Sequence, residues 1–174
     1  MMSVLTANSR RDLEIHRYPA PLYLLVPVAA LVLQALLSRY LSRFPYFDIP
    51  LVITVYFALG RRSPIQGMFL GVFVGIFEDA LTHHAIGING IAKTVAGFLA
   101  ASMGVRIDVQ NVFIRVLLNF ALTLLCSAIY LGIYRGLLGI ELDWSWFTLL
   151  FQALGNSVIA LILFPLLDRF QVRD

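Results

Sequence analysis

Residues 19–38 form a run of 20 without one charged side chain. As a helix rising 1.5 Å per residue, that run reaches about 30 Å, the thickness of the hydrocarbon core of a bilayer. The feature recurs along the chain. Residues 49–60 form a shorter run, adequate if extended back through Phe44, with Asp48 near one end and Pro50 inside it. Residues 63–77 stop at Glu78 and Asp79, and residues 87–105 are interrupted only by Lys93. Residues 116–134 and the 24 residues of 144–167 complete the set. Spanning structures are helices or closed barrels, because lipid offers the backbone no hydrogen bonds. These runs are continuously apolar rather than alternating, which argues against a barrel. The expected fold is an all-α membrane protein, a bundle of six transmembrane helices forming one domain over residues 19–174, preceded by an arm at 1–18. Composition agrees: 60% of residues are hydrophobic and 13% charged, against about 25% charged in soluble domains. Too little polar surface is left to coat a water-soluble globule. The single cysteine, Cys126, excludes an intrachain disulfide and argues against thiolate metal chemistry.

The formal net charge of +3 is small, and the placement of the charges says more. With the N-terminus inside, nine arginines (10, 11, 17, 61, 62, 106, 115, 169 and 173) fall on cytoplasmic segments and three (39, 43 and 135) on outer loops. That bias predicts a multi-pass membrane protein with both termini in the cytoplasm. The first run is too long for a signal-peptide core and lacks a small-x-small exit, so it is expected to stay as a span. Trp144 and Trp146, with Tyr40, Phe44 and Tyr46, fall at the outer boundary as an aromatic belt requires. The arm interleaves Arg10, Arg11, Asp12, Glu14 and Arg17 with Leu13 and Ile15. It reads either as a solvated leader or as a short amphipathic helix on anionic lipid.

Three features carry the cost of lipid. Gly67, Gly71 and Gly75 stand four residues apart, a stripe along one helix face where a neighbouring backbone can approach closely. The stripe reads as packing within the bundle, with a dimer interface as the other use. Asp79 continues it and Glu78 flanks it, so both acids can point at packed protein. Lys93, the only lysine, lies six residues into the next run. A charge at that depth costs at least about 2.5–3.5 kcal/mol and needs a partner or a wet cavity. With a turn centred near Ala85 and Ile86, Lys93 comes level with Glu78 and Asp79, and it sits between Gly90 and Gly97. A buried pair of Lys93 with Glu78 or Asp79 is expected, either purely structural or also serving a partner surface. His83 and His84 are adjacent and point apart on a helix, and there is no HExxH pair. Nor is there a phosphate loop or a nucleophile elbow, and Ser63, Thr94 and Ser157 have no base at helical spacing. No catalytic site, metal site or cofactor is expected.

The central segment resembles the rod-shape-determining protein MreD family. The residues that carry the resemblance are Phe57-Ala-Leu-Gly-Arg-Arg-Ser-Pro-Ile-Gln-Gly, then Gly71-x3-Gly75-x3-Asp79-x-Leu81, then Ile86-Gly87-Ile88-Asn89-Gly90 and Gly97. They cover roughly residues 45–105, and the rest is similar in length and helix count. The arm carries none of it, and Glu78 is not a position of the pattern. The resemblance implies a non-enzymatic inner-membrane scaffold of the cell-elongation machinery. Its partners would be a bitopic periplasmic protein of the MreC type, indirectly the actin-like MreB and the peptidoglycan synthases, membrane lipid, and a second copy of the chain. It involves no nucleic acid. The resemblance also implies a fold similar to the substrate-binding subunits of energy-coupling-factor transporters. The alternative function is thus a vitamin-type binding subunit of a transporter, with Asn89, Trp144 and Trp146 available as ligand contacts.

Overall fold

A computed structural model of the chain describes residues 21–40, 47–82, 85–107, 111–140 and 145–170. The arm at 1–18, Phe44, Tyr46, His83, His84 and Trp144 lie outside the described residues. All regular structure among the described residues is helical: α1 (Leu22–Tyr40), α2 (Ile49–Arg61), α3 (Pro64–Thr82), α4 (Ile88–Arg106), α5 (Val112–Gly136) and α6 (Trp146–Asp168). Five of them, all except α2, are long and apolar enough to cross a membrane. The chain is a helical multi-pass membrane protein.

The second run departs from the expectation of six full spans. The helix α2 has 13 residues, about 20 Å at 1.5 Å per residue, which is the length of a buried core helix rather than a crossing. Every residue from Ile49 to Gly60 is buried, and α2 touches all five other helices. Its two faces serve two cores. Leu51, Val55, Ala58 and Leu59 pack against Ala92, Ala96 and Ala100 of α4 and Leu122 and Cys126 of α5. Ile49, Val52, Tyr56 and Phe57 pack against Ala30 of α1 and Ala160 and Phe164 of α6. The apolar residues on the outer helices point the other way, with Leu25, Phe69, Phe147 and Ile162 more than 60% exposed. An exterior of this kind is stable in lipid and not in water.

The hairpin α3–α4 is the most closely packed pair. A Cβ at Gly67 would land on the Gly97 carbonyl, one at Gly71 on the Lys93 carbonyl, and one at Gly75 on the Asn89 carbonyl and Gly90 Cα. The stripe is therefore filled by this chain's own α4. Gly90 meets the Ile76 side chain, and Gly97 lies against the Gly67 carbonyl in return. Gly104, seven residues beyond Gly97, meets the Leu59 carbonyl of α2 and extends the small-residue face.

Candidate functional site

The short α2 creates the demand that the polar interior meets. Its first turn starts at depth, level with Glu78 and Lys93, which lie about 6–8 Å in from the α3–α4 turn at 1.5 Å per residue. The N–H groups of a first helical turn have no partner within the helix, and in lipid they need partners from elsewhere in the protein. Asp48 is the N-cap: its Oδ1 accepts from Leu51 N at 2.8 Å. Pro50, in the first turn, has no N–H to satisfy. Gln34 of α1 takes two more groups, donating from Nε2 to Phe47 O at 2.7 Å and accepting from Ile49 N at 3.3 Å. Asn156 of α6 accepts from Asp48 N at 2.9 Å.

The second oxygen of Asp48 holds the lysine. Lys93 Nζ donates to Asp48 Oδ2 at 2.7 Å and stands 2.6 Å from Glu78 Oε2. The latter contact is an ion pair off the axis of a directed hydrogen bond. Lys93 is 1% exposed, with Glu78 buried and Asp48 mostly so. Two carboxylates on two helices thus enclose one ammonium on a third. At this depth such an arrangement stabilises the protein only while it is complete, because removing one member strands a charge.

The network runs on into α5 and α6. Asn156 Nδ2 lies 3.5 Å from Thr123 Oγ1, and Asn119 Nδ2 donates to Asn156 O at 3.2 Å. One turn further along, Ser127 Oγ donates to Gln152 Oε1 at 2.9 Å. Asn119, Thr123 and Asn156 are wholly buried. Five helices and the N-cap of the sixth, Asp48 before α2, each contribute at least one of these polar side chains.

Asp79 does not join Lys93, although its depth and face allowed either acid. It caps the next helix across the turn. Asp79 Oδ2 accepts from Gly87 N at 2.8 Å and Asn89 N at 3.1 Å, and Oδ1 accepts from Asn89 Nδ2 at 2.8 Å. Gly87 has φ +102, a conformation that favours glycine, and it makes no cap of its own. The carboxylate lies at the positive end of α4, where it satisfies orphan donors. Of the residues singled out from sequence, Glu78 and Lys93 meet in the polar cluster. Asp79, Gly87 and Asn89 build the turn, and Gly67, Gly71, Gly75, Gly90 and Gly97 bring the two backbones together.

Asp48 is the member that sequence spacing alone did not assign. Its signal is the order Asp-Ile-Pro at the start of an apolar run, a cap followed by a first-turn proline. A second lock sits at the opposite end of α2. The buried Arg115, inside α5 rather than before it, grips Asp168 of α6 through Nη1–Oδ1 at 2.9 Å and Nη2–Oδ2 at 2.6 Å. Tyr56 of α2 donates its hydroxyl to the same Oδ1 at 2.8 Å. Among the described residues no three His, Cys, Asp or Glu side chains gather as metal ligands. No protein-family model matches the chain, and no curated protein or solved structure matches it either.

Proposed function

We propose that the chain is a non-enzymatic scaffold subunit of the bacterial cell-elongation machinery, of the MreD type. It would lie in the cytoplasmic membrane with both termini inside. There it would hold a bitopic periplasmic protein of the MreC type beside the peptidoglycan synthases. The observation that carries this reading is how the polar side chains are used. Lys93, Asp48, Glu78, Gln34 and Asn156 satisfy one another and the start of α2, which leaves the outward faces apolar. A rigid interior with an apolar exterior suits packing against other membrane helices. The motif resemblance at residues 57–97 supplies the identity of the machinery, and the nine-to-three arginine distribution supplies the orientation.

Affinity purification in mild detergent tests this directly. The scaffold reading expects a one-span periplasmic protein to copurify in stoichiometric amount. A vitamin-sized molecule retained instead, with no such protein, would replace the scaffold with the binding subunit of a transporter.

A further inference from the structure

A groove of about 580 Å³ opens on the outer surface between α1 and α3, with α2 as its floor. Its lining is divided along its length. The polar residues are Tyr23, Arg61 and Gln66, which belong to the first turn of α1, the last residue of α2 and the first turn of α3. All three therefore sit at one end. The remainder is apolar: Pro27, Leu70 and Phe73 form the walls, Phe57 lies in the floor, and the shaft reaches Phe77. From Gln66 to Phe77 the shaft runs along α3 for about 16 Å at 1.5 Å per residue.

The Arg61 guanidinium lies 4.0 Å over the Tyr23 ring. The ring holds the cation at the mouth of the groove, and a guanidinium presents N–H groups in the fork that receives a phosphate. A fixed cation at the mouth of an apolar shaft matches an amphiphile with an anionic head and a hydrocarbon tail. We propose that this groove is a binding site for one anionic phospholipid, with its phosphate on Arg61 and an acyl chain along Phe57, Leu70 and Phe73. The site draws from the leaflet on the Arg61 side of the bundle. It stands independently of the scaffold reading, because it requires no protein partner.

Native mass spectrometry of the purified full chain in mild detergent tests it, with dioleoyl phosphatidylglycerol or dioleoyl phosphatidylcholine added. The wild type should retain one phosphatidylglycerol in about fivefold preference, the value of one arginine at an anionic surface. Arg61→Gln should abolish the preference, whereas Arg106→Gln, at an exposed arginine outside the groove, should keep it. Leu24→Trp, at an exposed position on the wall, should lower retention of both lipids without changing their ratio. If Arg61→Gln elutes aggregated, Tyr23→Leu takes its place, because losing the ring that positions the guanidinium should also reduce the preference. Equal loss in Arg61→Gln and Arg106→Gln would show general headgroup attraction and overturn the site. So would retention unaffected by Leu24→Trp, or a one-span protein cross-linked at Phe73→Cys in place of lipid.

Discussion

Where α3 meets α4, backbone lies against backbone; where α5 meets α6, amides and hydroxyls bridge the gap. On the first side Gly67, Gly71 and Gly75 have no room for a Cβ against α4. On the second, Asn119, Thr123, Ser127, Gln152 and Asn156 form a buried ladder. Lipid supplies no hydrophobic force between helices, so both sides rely on what remains, dispersion through close approach and hydrogen bonds between spans. The first device is sharp and intolerant, since any side chain at the contact forces the backbones apart. The second spreads its energy over several modest bonds. Lys93 belongs to both: its carbonyl lies against Gly71, and its ammonium reaches Asp48, whose N–H goes to Asn156. The lysine joins the two regions.

Breaking that junction should have the largest effect. Lys93→Met leaves the half-buried Asp48 and the buried Glu78 without a cation, and the loss of one member of a buried ion pair typically costs about 3–5 kcal/mol. Thermal unfolding in detergent should show it as a large drop in midpoint or as loss of monodisperse protein.

The close-packed side should rank next. Gly71→Leu drives a branched side chain into the Lys93 backbone, and overpacking typically costs about 1–3 kcal/mol. Gly132→Leu on α5 is the matched control, because nothing lies within 4 Å of a Cβ there. Size-exclusion profiles should separate the two. Equal behaviour would erase the distinction between the regions.

The polar side should give the smallest response. Asn156→Leu removes the acceptor of Asp48 N and a neighbour of Thr123. Hydrogen bonds between spans average about 0.6 kcal/mol and reach about 1.7, so a few degrees of midpoint is the expected shift. A loss as large as that of Lys93→Met would mean that the ladder, and not the ion cluster, holds α2 in place.

The sequence exposed these regions unequally. Glycines four apart and a lone lysine in an apolar run are local signals, and they located the α3–α4 contact and the need for an acid. Spacing alone could not choose between Glu78 and Asp79, which share a depth. The choice turned on Gly87, whose positive φ aims its N–H at Asp79. Asp48 lies 45 residues from Lys93, so only the folded chain brings them together. The length of α2 was a further obstacle. Its 12 uncharged residues looked like an incomplete span, whereas their burial on every side makes it the centre of the bundle. Asn119, Thr123 and Ser127 stand four residues apart, as do Gln152 and Asn156, a polar stripe on each helix that carried no charge to draw attention and whose use shows only when the two helices face each other.

Double-mutant cycles on Lys93 test the junction most directly. Lys93→Met would be combined in turn with Asp48→Asn and with Asp79→Asn, and stability measured by thermal unfolding in detergent. Asparagine retains an acceptor for the α2 cap while removing the charge. Lys93→Met and Asp48→Asn should be strongly coupled, by at least about 1 kcal/mol, with the double variant recovering part of the loss of the lysine variant. Lys93→Met and Asp79→Asn should add to within about 0.3–0.5 kcal/mol, as independent sites do. Coupling to Asp79 with additivity at Asp48 would contradict the account and return the lysine to the α3–α4 hairpin alone.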